Sequence, residues 1–108
     1  MDQKNDIMIG PGTTPDQSFT LPIDTSLVKK ARVVYAQRDV VIVVREGDDL
    51  QMKGNEISFR LTQEETLRFK SDSQVDIQLR VLTHDGKVPW IKPVTVSVER
   101  CFDREVLE

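Results

Sequence analysis

The chain has 108 residues and a formal net charge of −3, enough for one domain and one core, with a field that mildly repels phosphate backbones. Valine (14), isoleucine (7) and threonine (8) far outnumber alanine (2); stiff β-branched side chains suit pleated strands, and so alanine-poor a chain is badly placed to form long helices. One cysteine, Cys101, excludes an intrachain disulfide, and the one basic cluster, Lys29, Lys30 and Arg32, is too small for a nucleic-acid footprint.

Residues 1–18 are polar, carry Gly10-Pro11-Gly12 and Pro15, and are expected to form a flexible lead-in, with Ile7 and Ile9 supplying at most a short edge strand. No apolar segment follows Met1 to Asp6, so no signal peptide is expected and the protein should fold in a cytoplasm. A single β-sandwich domain is expected over 19–108. Its first strand alternates Phe19, Leu21 and Ile23 with Thr20, Pro22 and Asp24, and the proline marks it as an edge.

The next runs, Ala31 to Gln37 and Val40 to Glu46, are separated by Arg38-Asp39 alone, which predicts an antiparallel hairpin. In the second run Val41 and Val43 point opposite to Val40, Ile42 and Val44. An apolar pattern on both faces predicts a central strand covered on each side, or a face that meets a partner chain. This is the longest apolar run, far short of the roughly 18 residues a membrane helix needs.

Gly47-Asp48-Asp49 and Lys53-Gly54-Asn55-Glu56 are turn signals flanking a short strand with Leu50 and Met52, and Ile57, Phe59 and Leu61 then point inward. Thr62 and Glu65 have capping-box spacing, which predicts a helical turn or two packing Leu67 and Phe69 beneath a sheet. The cleanest alternation is Val75, Ile77, Leu79 and Val81 against Asp76, Gln78 and Arg80. Asp85-Gly86 then suits a tight primed hairpin turn. After Pro89-Trp90-Ile91-Lys92-Pro93, Val94, Val96 and Val98 make a last inward row, and Phe102, Val106 and Leu107 are expected to dock the tail. Together these signals predict an all-β fold, an antiparallel immunoglobulin-like β-sandwich of about seven short strands with one short helical turn, with a small open barrel as the main alternative that strand counting does not exclude.

Chemistry is sparse along the chain. The only histidine, His84, sits beside Asp85 at a predicted turn, where neighbouring side chains point apart, and Cys101 has no second histidine to activate it. One His and one Cys cannot assemble the usual zinc sets, and Asp48-Asp49 is not followed by a calcium-loop pattern. Gly10-Pro11-Gly12-Thr13-Thr14-Pro15 lacks the lysine of a phosphate loop, and its prolines remove amide donors. No catalytic residue, metal or cofactor is therefore expected. Trp90, between prolines, is read either as a plug for the open end of the sandwich, the commoner fate of a lone large aromatic, or as an anchor for an interface or a sugar ring. Trp90, Ile91, Val41 and Val43 are the interface candidates.

Several segments occur together and in order: Gly12-Thr13-Thr14-Pro15, Phe19-Thr20-Leu21-Pro22, Arg32-Val33-Val34-Tyr35-Ala36-Gln37, Leu61 to Leu67, Ile77 to Thr83, Asp85-Gly86 and Glu105-Val106-Leu107. In these the chain resembles a family of small uncharacterised proteins encoded in bacteriophages and prophages of gut bacteria, from about Ile9 to the C-terminal end. The sandwich is also similar, in architecture alone, to the N-terminal domain of siphophage upper baseplate proteins. The first eight residues and Gly10-Pro11 depart from the family pattern. The resemblance implies a non-enzymatic structural or assembly module of the tail or baseplate, made in the bacterial cytoplasm and carried into the virion. Its implied partners are other phage structural proteins or a second copy of the chain, without nucleic acid or membrane. The alternative is a carbohydrate- or surface-binding sandwich with Trp90 exposed beside polar groups. A small enzyme ranks third and requires a cleft that gathers His84 with a carboxylate.

Overall fold

The computed structural model describes residues 8–108. Its strands are β1 (Met8–Ile9), β2 (Asp16–Thr20), β3 (Val28–Gln37), β4 (Val40–Glu46), β5 (Gln51–Lys53), β6 (Glu56–Arg60), β7 (Ser73–Thr83) and β8 (Val94–Val98), with one short α-helix, α1 (Gln63–Leu67). They form a five-stranded sheet, β1-β8-β7-β3-β4, and a three-stranded sheet, β2-β6-β5. The result is an all-β, two-sheet sandwich. Every pairing is antiparallel except that of β1, which runs parallel to β8.

The alternation in β7 buries Val75, Ile77, Leu79 and Val81 against β3, where Ala31, Val33 and Tyr35 face the same core. The second sheet supplies Ile57 and Phe59, and Leu61 follows them into the core. Full burial of each such side chain contributes about 1.5–3 kcal/mol. Tyr35 sits at the centre, edge-on to Phe59 with ring centroids 6.3 Å apart, and its hydroxyl donates to Gln17 Oε1 at 2.7 Å. Burial pushes its phenol far above the usual tyrosine range; the Glu65 carboxylate adds to the rise and Arg45 opposes it. Gln37, also buried, pairs its side-chain amide with both backbone groups of Lys70 at 2.9 and 3.1 Å, as a strand would.

Two bulges explain where the sequence pattern misleads. In β3 the pairing with β7 slips between Val28 and Lys30, so Val28 and Ala31 both face the core while Lys29 and Lys30 face water. In β4 Ile42 is the extra residue: Tyr35 pairs with Val43 and Ala36 with Val41. Val43 is therefore buried at 2% exposure while Val41 is 56% exposed. The expectation of a central β4 is corrected, because this strand is the edge of the five-stranded sheet. The Arg38-Asp39 hairpin is present, with both residues at positive φ (50° and 67°).

The boundary drawn at residue 18 is also corrected. Residues 8–18 belong to the sandwich: Ile9 is buried, Met8 and Ile9 pair with Ser97 and Val98, and β2 starts at Asp16. Residues 1–7, including Ile7, lie outside the described residues. The Gly10 to Pro15 loop serves packing: Gly12, at φ +83°, donates its amide to the Thr66 hydroxyl at 2.9 Å, and that hydroxyl reaches the Thr13 carbonyl at 2.9 Å. Thr66 is the fully buried residue of α1, whose Thr62–Glu65 capping box forms as predicted.

Candidate functional site

Among the described residues a large concavity lies at the end of the sandwich where β7 finishes. Thr83 pairs with Val28, and the His84 amide donates to the Leu27 carbonyl at 3.0 Å, so a loop preceding β3 is held beside the turn that follows β7. That turn differs from the predicted two-residue one. The Gly86 amide donates to the Thr83 carbonyl at 3.0 Å and the Thr83 amide to the Lys87 carbonyl at 2.8 Å, leaving His84, Asp85 and Gly86 as a three-residue connection. Only Gly86 has positive φ, at +85°, as the bulged form of such a turn requires.

These elements enclose an open groove of about 720 Å³ lined by Ile23, Leu27, Thr83, His84, Asp85, Lys87, Val88 and Pro89. Its walls are mainly apolar, with Leu27 and Val88 each 52% exposed. The polar groups gather on one side. Asp85 accepts from the Thr83 hydroxyl and lies 3.9 Å from Lys87 Nζ. His84 and Asp85 both line the groove. Among the described residues no hydrogen bond orients the His84 ring, and the Asp85 carboxylate is turned to Thr83, not to the imidazole. The groove thus gathers His84 with a carboxylate, and the Thr83 hydroxyl is bonded to Asp85 rather than to the imidazole.

Beyond Pro89 the chain crosses the open flank of the core as a proline-bracketed loop. Trp90 is 76% exposed, which corrects the plug reading; Ile91 takes that part, half-buried and packed against the core. The loop stands off β7, because β8 pairs only with Ser73 to Ile77. A smaller recess of about 220 Å³ remains between Gln78, Leu79 and Arg80 on one side and Val88 to Ile91 on the other. Val88 and Pro89 line both groove and recess, and Trp90 lines the recess.

The other interface candidates fare unequally. Val41 is exposed on the β4 edge beside Val40, itself 60% exposed, but Val43 is removed from any outer surface by the bulge at Ile42. Ile91 lends the Trp90 loop its rigidity more than its surface. Groove residues that sequence reasoning missed are Ile23, Leu27 and Val88. Their only signal is long-range, since Leu27 reaches His84 through the pairing of β3 with β7.

Elsewhere, the charged group with most internal contacts is structural. Arg45 Nε donates to Glu65 Oε2 at 2.8 Å and its terminal nitrogen to Glu65 Oε1 at 3.0 Å, with the guanidinium 5.3 Å over the Phe59 ring. Burial pushes the Glu65 carboxyl up, but the Arg45 and Thr62 hydrogen bonds outweigh it and hold the group below its usual range. Cys101 is half-buried, with its thiol donating to the Asp103 carbonyl at 2.9 Å. Among the described residues no three His, Cys, Asp or Glu side chains group as metal ligands, and no helix is long and apolar enough to cross a membrane. The chain matches no known family model, and no curated protein is significantly similar to it.

Proposed function

We propose that this protein is a non-enzymatic structural or assembly module that docks other proteins through the Trp90 end of its sandwich. The observation that carries the reading is Trp90 at 76% exposure on a loop stiffened by Pro89 and Pro93, beside an apolar groove. Exposed tryptophan is costly to leave in water and effective when covered, and interface energy concentrates in such residues. Rigid presentation adds to this, because little side-chain or loop freedom is lost on contact. The resemblance to small phage and prophage proteins supports a virion setting, tail or baseplate, in which the partners are other phage structural proteins.

The test is direct. Particles are purified from induced cells encoding the chain, and the protein is quantified in them by mass spectrometry, wild type against Trp90→Ala. Wild-type protein should copurify at a fixed ratio to the other particle proteins, and the variant should be depleted while remaining folded in the lysate. Absence of the wild type from particles overturns the virion setting.

A sugar- or surface-binding module is the second reading, favoured by one observation: Trp90 borders a recess that also exposes Gln78 and Arg80, polar groups able to bond a ring stacked on the indole. Quenching of Trp90 fluorescence on titration with host-surface polysaccharide, lost in Gln78→Ala, would select it.

A further inference from the structure

Two arginines stand side by side on the outer face of the five-stranded sheet. Arg32 in β3 and Arg80 in β7 are directly paired across the strands, and both side chains are exposed. Like charges placed directly opposite in a sheet destabilise it, because the Cβ atoms of such a pair are only about 5 Å apart. Among the described residues neither guanidinium makes an ion pair. Glu46 is paired with Arg32 on the side away from Arg80 and is not within ion-pair distance of it. Lys30, two residues along β3, is exposed on the same face. A repulsion left standing in an otherwise consistent strand pairing marks a place to look for a ligand.

Arg80 also lines the recess that Trp90 lines, and no carboxylate contributes to that lining. The arginine pair and the exposed indole therefore adjoin, and Val88 and Pro89 carry the same surface on into the apolar groove. The other large exposed apolar side chains, Phe102 at 92% and Leu107 at 74%, lie in the C-terminal segment. That segment is held by polar contacts: Arg104 donates to the Leu67 carbonyl at 3.0 Å, and Leu107 exchanges two hydrogen bonds with the Gln63 amide at 2.8 and 2.9 Å. The expected docking of the tail by Phe102 and Leu107 is thus not what holds it, and nothing in the structure shows what covers them.

We infer that the surface docked at Trp90 is an acidic segment of a partner protein, whose carboxylates take Arg32 and Arg80 while its apolar side chains cover the indole. The inference rests on the docking reading and adds the chemistry of the partner. A carboxylate between the two guanidinium groups replaces their repulsion by charge-assisted hydrogen bonds, and arginine and tryptophan are residues in which interface energy concentrates. The whole chain carries a net charge of −3, so an acidic ligand is drawn to this patch and not to the molecule at large. The apolar continuation through Val88 and Pro89 favours a polypeptide over an acidic polysaccharide, which offers little apolar surface to match it.

Trp90 is the only tryptophan, so its fluorescence reports on the site directly. The full chain is titrated with poly-L-glutamate at low and high salt. Trp90 emission should change saturably at low salt and the response should fade at high salt. The apparent Kd should rise about tenfold or more in Arg32→Gln and in Arg80→Gln. Both variants should melt at or above the wild-type temperature, because each removes a like-charge contact; a clear fall in both would make the pair a structural element and overturn the inference. Arg100→Gln, which alters an exposed arginine paired with Asp72, should bind as wild type does, and equal weakening there would reduce the effect to overall charge. A wild type that ignores polyglutamate, or that responds only to polygalacturonate, overturns the acidic protein partner, the latter in favour of a sugar. Concentration-dependent sedimentation of the chain alone, lost in Arg80→Gln, would give the site to a second copy instead. If the arginine variants enter particles normally while Trp90→Ala is depleted, the docking reading stands without the acidic partner.

Discussion

Glu65 is held by Arg45 and by the Thr62 amide at once, so one carboxylate ties the edge strand β4 to the start of α1. Both side chains of the ion pair are 14% exposed, and breaking one side of so enclosed a pair leaves the other charge stranded. Arg45→Met should cost about 3 kcal/mol in urea unfolding. Because the Glu65 carboxyl titrates lower folded than unfolded, the stabilisation is present above the ordinary glutamate range and is lost as pH falls through the folded value. Melting temperature should accordingly drop in acid for the wild type. Glu65→Gln should start lower at neutral pH and change less, the two curves converging as pH falls through the folded Glu65 value; parallel curves would remove Glu65 from the acid response. The capping role of Glu65 was legible from Thr62-Gln63-Glu64-Glu65 because both partners are local. Its Arg45 contact was not, since nothing in spacing alone brings β4 over α1.

At the scale of elements, period-2 alternation gave β7 its buried row without ambiguity, and a two-residue gap gave the β3–β4 hairpin. The pattern failed at β4, where a bulge inserts Ile42 and an apolar run on both faces imitates a central strand. It failed again before Asp16, because the partner of Ile9 lies at the far end of the chain. Two predictions follow from these elements. Deleting residues 1–17 removes β1 and the Gly12–Thr66 tie and uncovers the core around Ile9, so it should destabilise by several kcal/mol, of the order of a Leu or Ile truncation or more. Val81→Asp, which places an unpaired charge in the β7 row, should abolish cooperative unfolding outright; a truncated chain as stable as the full one would return residues 8–17 to the status of a lead-in. Conversely, Arg38 and Asp39 hold positive φ without glycine, and replacing them by Asn-Gly should gain about 1 kcal/mol in the same assay.

Across the whole molecule, exposed apolar side chains include Leu27, Val88 and Trp90 by the groove, Phe102 and Leu107 in the C-terminal segment, and Val40 and Val41 on the β4 edge. Trp90→Ala should leave thermal unfolding within about 0.5 kcal/mol of wild type while weakening partner capture, the opposite of what a core plug would do. The proline bracket announced a stiff loop in the sequence. Whether the indole faced in or out depended on Ile91 taking the core position, a competition between neighbours that composition does not rank. The pairing of β1 with β8 has a consequence for biosynthesis. Met8 and Ile9 close against Ser97 and Val98, and β8 also covers half of β7, so the five-stranded sheet stays incomplete until β8 has left the ribosome. Such high contact order slows folding and leaves the β7 edge uncovered meanwhile. Chains stalled before Val94 should remain protease-sensitive on the ribosome, and protection should appear only once β8 is free of the exit tunnel.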